Sequence, residues 1–120
     1  MIPLKPIGGE VYLEYQGQGI ARNQFVKLKK GQYSIEEKCD LHGLNSQQAK
    51  MVLDEYLGLS VKNGLRMLLI IHGKGDFIKG SIIKAMVVDT LESSTKVLAF
   101  CSARIQDGGT GAVYCLLKKT

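Results

Sequence analysis

The stretch from Met67 to Ile71 constrains the fold most, because in this chain of 120 residues it is the longest run made only of Met, Leu, Ile and Val. Consecutive apolar residues between turn-forming glycines are typical of a strand that is buried on both faces, as in the centre of a parallel sheet. The run is far shorter than the roughly 20 residues that a helix needs to cross a membrane. We therefore predict a globular α/β domain with this segment at its centre.

Helical periodicity on either side of this strand predicts two crossover helices. Asn45 or Ser46 is a suitable N-cap for the first helix, and Asn63-Gly64 ends it. The helices are predicted at about 46–62 and 80–92, and four strands at 38–41, 65–71, 96–103 and 112–118.

The order strand, helix, strand, helix, strand, strand makes the first three strands parallel, because each helical crossover returns the chain to the same end of the sheet. The short connection between strands three and four makes the last strand antiparallel. The loops after strands one and two, and the loop between strands three and four, then lie at one edge, where open α/β sheets bind ligands. We predict a domain over residues 34–120. Residues 1–33 form a basic extension that packs on it, with a short strand at 11–15 and a helical turn at 24–30.

The first polar segment at this edge is Asp40-Leu41-His42-Gly43, which ends strand one. Side chains alternate along a strand, so Asp40 and His42 point to the same side. A carboxylate beside an imidazole can orient the ring and increase its basicity, which suits general acid–base catalysis. The alternative interpretation is a salt-bridged surface pair at the end of a strand.

Two glycine-marked loops complete the edge. His72-Gly73-Lys74-Gly75 follows strand two and contains one of only two histidines in the chain. Its glycines allow a ligand to approach closely, and Lys74 offers positive charge to a phosphate. In Asp107-Gly108-Gly109-Thr110-Gly111-Ala112, before strand four, free backbone N–H groups can form an anion-binding nest. The alternatives are a turn with a solvated lysine and a flexible hairpin loop.

Composition narrows the class of protein further. The net charge of +5 permits an anionic partner and suggests nucleic acid. The chain has three cysteines without CxxC spacing, which predicts buried, unreactive thiols at Cys39, Cys101 and Cys115. Residues 1–6 lack the apolar region of a signal peptide, so we expect a cytoplasmic protein with no membrane segment.

Taken together, the three motifs resemble the signature of the Smr (small MutS-related) domain family. The resemblance is carried by Asp40-Leu41-His42-Gly43, His72-Gly73-Lys74-Gly75 and Gly109-Thr110-Gly111-Ala112, and it covers about residues 34–120. Residues 28–36 resemble the corresponding stretch of stand-alone bacterial members of the SmrA type. The resemblance implies a two-layer α/β sandwich similar to the C-terminal domain of translation initiation factor three. Both helices would cover one face of a mixed four-stranded sheet, with strand four between strands two and three.

The family resemblance also implies an endonuclease that nicks DNA or cleaves RNA. Carried to this chain, the cleavage residues would be Asp40 and His42. The residues that hold the substrate backbone would lie in the two loops, at His72, Gly73, Lys74 and Gly75 and at Gly109, Thr110 and Gly111.

Our leading hypothesis is therefore an endonuclease that acts on phosphodiester bonds and selects its substrate by structure rather than by base sequence. His42, oriented by Asp40, would act as base or acid, and His72 would be the second proton-transfer group or a phosphate contact. Lys74 and the loop amides would stabilise the charged phosphoryl transition state. RNA cleavage through the 2′-OH would need no cofactor, whereas DNA nicking would need a water activated by Mg²⁺ or Mn²⁺. We expect no tightly bound structural metal.

Two other classes of function would use the same edge. One is a DNA- or RNA-binding module without turnover, and the other is a binder of small phosphate esters. Binding of a nucleic acid would depend strongly on salt with or without cleavage, so turnover by the purified protein separates the first two hypotheses. The expected partner is DNA or RNA, and we favour a monomer.

Overall fold

The computed structural model describes residues 4–119, which form one sheet with helices on both faces. The elements are β1 (Glu14–Gln16), α1 (Arg22–Lys29), β2 (Glu37–Asp40), α2 (Ser46–Lys62), β3 (Met67–Ile71), α3 (Ile82–Ser93), β4 (Val97–Ser102) and β5 (Ala112–Leu117). Two short 3-10 helices, Ile105–Asp107 and Gly109–Gly111, lie between β4 and β5. No helix within residues 4–119 is long and apolar enough to span a membrane.

The sheet has the strand order β1-β4-β5-β3-β2. Strands β2 and β3 are parallel, and β5 lies between β3 and β4 and is antiparallel to both. This confirms the predicted α/β fold, including the position and direction of the last strand. The central apolar strand β3 is buried along almost its whole length, as the run from Met67 to Ile71 predicts.

The predicted four-stranded sheet of the domain gains a fifth strand at the β4 edge, because the short strand predicted at 11–15 forms as β1 and pairs with β4. Tyr15 of β1 stacks on Phe100 of β4 with 5.2 Å between the ring centroids. Gly17 then donates a backbone hydrogen bond to the carbonyl of Leu98 (2.9 Å). The pairing partner of so short a strand depends on tertiary contacts, which periodicity does not report.

Helices α2 and α3 cover one face of the sheet, and their ends agree with the predicted ends to within two residues. Asn45 caps α2: its Oδ1 accepts from the backbone N–H of Gln48 (2.8 Å), and Gln48 Oε1 accepts from the N–H of Asn45 (3.1 Å). Ser81 caps α3 by accepting from the N–H of Lys84 (2.9 Å). Buried helix residues, among them Leu53, Val87 and Leu91, pack on sheet residues that include Leu68, Ile70 and Val113.

Helix α1 covers part of the opposite face of the sheet. It is a two-turn helix rather than the single turn predicted, and its buried residues Phe25 and Leu28 pack with Leu69 and Tyr114. The sheet therefore has helices on both faces. The two layers expected for the domain are present, and α1 adds part of a third layer. All three cysteines are buried as predicted, and burial raises the pKa of Cys39 and Cys101 to about 11 and that of Cys115 to about 12.

Candidate active site

The carboxyl ends of β2 and β3 and the connection between β4 and β5 meet at one edge of the sheet. We call residues 40–43, 72–75 and 107–111 the motif edge. The backbone N–H of Leu41 donates to the carbonyl of Ile71 (2.7 Å), which extends the β2–β3 ladder to the first motif. A Cβ placed on Gly73 would lie 3.6 Å from Cβ of His42, so the first and second motifs are in contact.

Asp40 and His42 form a hydrogen-bonded pair on the surface of this edge. Asp40 Oδ1 lies 2.5 Å from His42 Nδ1 and also accepts from the backbone N–H of His42 (3.1 Å). The side chains are 48% and 69% exposed, respectively. Because Nδ1 is held by the carboxylate, Nε2 is the ring nitrogen that is available to a ligand.

The electrostatics of Asp40 follow from the same contacts. Desolvation raises the pKa of Asp40. The hydrogen bonds from the ring and the backbone of His42 together lower it by a larger amount, so the pKa of Asp40 lies below its ordinary value. The carboxylate is therefore ionised at neutral pH and can stabilise a protonated imidazole. The turn is held by Leu41, whose side chain is fully buried, and by Gly43 at φ +82°.

His72, by contrast, lies beneath the surface and is 2% exposed. Its Nδ1 lies 2.7 Å from the carbonyl oxygen of Gly73, and its Nε2 is buried without a partner among the described residues. Burial lowers the pKa of His72 to about 4, against a smaller upward effect of the Gly73 carbonyl. The ring is therefore neutral at pH 7, with Nδ1 as the donor to Gly73.

The second and third motifs are joined through the carbonyl oxygen of Gly111. It accepts from the backbone N–H of His72 (3.0 Å) and from that of Gly73 (2.9 Å). A Cβ on Gly111 would lie 3.6 Å from the backbone of Gly73 and from the side chain of Lys74. The two loops are thus packed against each other.

The third motif uses most of its own amides internally. The N–H groups of Gly108, Gly109 and Gly111 donate to carbonyls of the same connection at 3.0 to 3.2 Å. The prediction that these amides are free to bind an anion is therefore wrong, because they donate to carbonyls within the two 3-10 turns. Asp107 is also held, because its Oδ2 accepts from the hydroxyl of Tyr114 (2.5 Å).

Lys74 is the cation at the centre of the edge. Its side chain is 53% exposed, and Nζ lies 3.1 Å from Oε1 of Glu10. The N-terminal segment reaches this loop because Ile7 exchanges backbone hydrogen bonds with Ser81 (3.0 and 2.8 Å). Gly9 allows the close approach, since a Cβ there would lie 2.6 Å from the carbonyl oxygen of Lys74. The sequence patterns contained no sign of Glu10 in this position.

The comparison with known families agrees with these three motifs. Residues 39–118 match the sequence model of the Smr domain. The chain belongs to the Smr domain family. It is 31% identical over 110 residues to the "Probable DNA endonuclease SmrA" of Escherichia coli K12, with 90% of this chain and 59% of the relative covered. It is 34% identical over 103 residues to the "Ribosome rescue factor SmrB" of Aeromonas hydrophila, with 86% of this chain and 57% of the relative covered. The chain spans less than two thirds of either relative.

Two solved structures resemble this Smr domain. YdaL, a stand-alone small MutS-related protein from Escherichia coli, superimposes with a TM-score of 0.84 at 30% identity, over 97% of this chain and 90% of YdaL. The Smr domain of Thermus thermophilus MutS2 superimposes with a TM-score of 0.62 at 27% identity, over 68% of this chain and 98% of that domain. The likeness to YdaL therefore extends beyond the Smr match into the N-terminal segment.

Lys84 is a residue of this Smr domain that sequence analysis missed. It is fully buried in the first turn of α3. Its Nζ lies within hydrogen-bond distance of four backbone carbonyl oxygens, which share its three N–H donors: those of Gly8 (3.2 Å), Gly9 (3.2 Å), Val11 (2.6 Å) and Thr110 (3.0 Å). Burial lowers its pKa, partly offset by Glu10. The only sign of this role in the sequence was a single lysine within an otherwise apolar helical stretch. Such a lysine is usually taken to extend its ammonium group into solvent.

The donor set at the motif edge is not that of a multi-carboxylate metal centre. Within residues 4–119 there is no group of three or more His, Cys, Asp and Glu side chains that could hold a metal ion. Asp40 is already engaged with His42, and Asp107 with Tyr114. The residues of this Smr domain therefore do not fit a two-metal site of the kind that aligns a water for phosphodiester hydrolysis.

Proposed function

We propose that this protein is an endonuclease that cleaves phosphodiester bonds at the motif edge, with Asp40 and His42 as its catalytic pair. The observation that carries the proposal is the exposed, carboxylate-oriented imidazole, whose Nδ1 is held at 2.5 Å while Nε2 is left for a substrate. The names of the relatives support it, since one is called a probable DNA endonuclease and another a ribosome rescue factor.

In the proposed reaction, Nε2 of His42 removes the proton from the attacking oxygen. On RNA that oxygen is the 2′-hydroxyl: a bond forms from O2′ to phosphorus, the bond to the 5′-oxygen breaks, and water protonates the leaving oxygen. Asp40 stabilises the imidazolium that forms, as a carboxylate does in hydrolase triads. The effect of such a base is typically about 10²- to 10⁴-fold on the rate.

The phosphate would be held by Lys74 and its loop. Lys74 supplies a half-exposed ammonium group in the loop whose Gly73 contacts His42 of the first motif. Among residues 4–119, the backbone amides of Lys74 and Gly75 donate to no acceptor, so they are suited to hold phosphate oxygens. His72 then has a positioning role, because its buried ring holds the carbonyl of Gly73 and its backbone holds Gly111. The family-based roles of Gly109, Thr110 and Gly111 become roles in supporting that loop.

The donor set favours RNA as the substrate. RNA carries its own nucleophile, so one histidine, one carboxylate and one lysine suffice for transesterification. DNA nicking needs an activated water, and Mg²⁺ or Mn²⁺ from solution would have to supply it without a cluster of protein ligands. The burial of His72 favours one further candidate, a binding module without turnover, because it leaves a single histidine exposed at the edge.

The test is a cleavage assay with end-labelled single-stranded RNA, single-stranded DNA and nicked duplex DNA, each with EDTA, Mg²⁺ or Mn²⁺. The variants are Asp40→Asn and His42→Ala, and the matched control is Asp54→Asn, which removes an exposed carboxylate paired with Lys50 on α2. We expect RNA cleavage in EDTA that both site variants reduce by about 10²- to 10⁴-fold and the control leaves intact. Cleavage by His42→Ala at the wild-type rate contradicts the proposal. Salt-sensitive binding without any cleavage would establish the binding module instead.

A further inference from the structure

A short hairpin follows the second motif and projects from the motif edge. Asp76 and Gly80 pair through two backbone hydrogen bonds (2.9 and 2.8 Å), and the residues between them form its tip. At this tip the side chain of Phe77 is fully exposed and that of Ile78 is 90% exposed. The other two phenylalanines of the chain, Phe25 and Phe100, are 3% and 1% exposed.

The hairpin holds Phe77 away from the body of the protein. Asp76 Oδ1 accepts from the backbone N–H groups of Ile78 and Lys79, both at 2.8 Å, which fixes the turn. The base of the hairpin is fixed as well, because Ser81 donates to the carbonyl of Ile7 and a Cβ on Gly80 would meet that same carbonyl at 2.5 Å. An exposed aromatic ring on an ordered turn presents both faces to a ligand without first being released from a core.

In the sequence, a lysine stands close to Phe77 on either side. Lys74, which would hold the phosphate, precedes Phe77 by three residues, and Lys79 follows it by two. Three residues span at most about 11 Å, so a strand whose phosphate lies at Lys74 would bring an adjacent base to Phe77. Alternation of cations with an exposed aromatic ring is the pattern by which proteins hold single-stranded nucleic acid, where phosphates meet lysines and bases stack on rings.

We propose that Phe77 is a stacking platform for a base of single-stranded nucleic acid next to the phosphate held at the motif edge. The proposal rests on the proposed function, and it adds a substrate class: an unpaired strand, whose bases have free faces. Bases within a duplex are stacked on one another and have no face to offer. Lys79 would contact a phosphate beyond the stacked base.

The lack of tryptophan in this chain allows a direct test. Phe77→Trp would carry the only indole, and its fluorescence is titrated with single-stranded RNA, single-stranded DNA and a duplex of the same sequence. The matched control is Ile105→Trp, at a 92% exposed apolar residue of the β4–β5 connection. We expect the single strands to quench the indole of Phe77→Trp saturably and the duplex to quench it much less. The indole of Ile105→Trp should change little with any of the three.

Binding measured by anisotropy then separates stacking from a general apolar contact. Phe77→Ala and Phe77→Leu should both weaken single-strand binding by about 5- to 150-fold, whereas Phe77→Tyr should retain it, because loss of one base–aromatic stack costs about 1–3 kcal/mol. If Phe77→Leu binds like the wild type, the ring does not stack and the proposal is wrong. The same conclusion follows if the indole of Phe77→Trp is not quenched while the strand binds, or if no single strand binds at all.

The same titrations in a His42→Ala background keep this inference distinct from the proposed function. If single strands quench the indole of Phe77→Trp but the protein with His42 intact cleaves no substrate, the stacking platform is supported and the proposed nuclease is wrong. Cleavage that depends on His42 but is unchanged in Phe77→Ala, with unchanged affinity, would support the nuclease and overturn the platform.

Discussion

Lys84 Nζ donates a hydrogen bond to the carbonyl oxygen of Thr110 across 3.0 Å, which ties the third motif to the first turn of α3. The same ammonium group holds the carbonyls of Gly8, Gly9 and Val11. The N-terminal segment and the third motif are therefore coupled through one buried cation. Because Gly111 in turn holds the second motif, the shape of the loop at 72–75, which we propose binds phosphate, depends on a residue that never reaches the surface.

Replacing Lys84 with Met should destabilise the fold and slow cleavage. The change leaves part-buried backbone carbonyls without their donor, and the loss of hydrogen bonds from a charged group predicts a decrease of about 3 kcal/mol in the free energy of unfolding. Urea denaturation measures this decrease, and cleavage is compared at a temperature where both proteins are folded. The control is Lys62→Met, at an exposed lysine of α2. Equal urea midpoints for the two variants would contradict the role of Lys84.

Replacing Glu10 with Gln should strengthen nucleic-acid binding. The Glu10 carboxylate lies 3.1 Å from Lys74 Nζ and competes with a phosphate for that cation, and it repels the phosphate itself. We expect a several-fold gain in affinity at low salt that shrinks as salt increases, because screening weakens both effects. The control is Glu55→Gln, which changes the net charge equally at an exposed position of α2. An equal gain for Glu55→Gln would assign the effect to net charge alone.

The sequence was sufficient to predict the motif edge, for a physical reason. Parallel strands joined by crossover helices must bring their carboxyl ends together, so Asp40 and Lys74 were predicted to lie at one edge from periodicity and capping alone. The burial of each side chain at this edge could not be predicted in this way. His42 and His72 both follow parallel strands, yet His42 is exposed and His72 is buried, with its backbone N–H bonded to the carbonyl of Gly111.

The parts that periodicity missed are those fixed by contacts distant in sequence. A short strand was predicted at 11–15, but its pairing with β4, more than 80 residues away, was not. Lys84 donates to carbonyls that precede it by more than 70 residues in the sequence. A helical wheel shows the position of Lys84 on α3, but it does not show these partners. Local pattern predicts elements and their order, but it does not predict which distant backbone groups will surround a side chain.

The buried His72 should make stability depend on pH in a defined window. Its pKa is about 4 in the folded protein and 6.5 ordinarily. Between these values the unfolded chain binds a proton that the folded chain does not. The free energy of unfolding should therefore fall as the pH drops from about 6.5 to about 4, by ~3 kcal/mol in all, with no contribution from His72 above that window.

Urea denaturation across this pH range measures the effect. His72→Asn is the informative variant, because its amide can still donate to the carbonyl of Gly73 but does not titrate. The slope of stability against pH should be smaller in His72→Asn than in the wild type between about pH 4 and pH 6.5. An identical slope in both proteins would show that His72 is not the group responsible.

Two glycine-to-alanine changes should have opposite effects on stability. Gly58 lies within α2, and a Cβ there meets no atom within 4 Å, so Gly58→Ala should stabilise the protein by about 0.5–1 kcal/mol by reducing the entropy of the unfolded chain. Gly75 has φ +74°, and a Cβ there would clash with the backbone of Gly80, so Gly75→Ala should destabilise it by about 1 kcal/mol or more.

Cleavage measured on the same two variants links this difference to the site. Gly58→Ala should cleave at the wild-type rate, because α2 contributes no group to the motif edge. Gly75→Ala should cleave more slowly even where it is fully folded, because the displaced loop moves the amides of Lys74 and Gly75 and the base of the Phe77 hairpin together. A folded Gly75→Ala protein with wild-type cleavage would mean that the phosphate is held elsewhere.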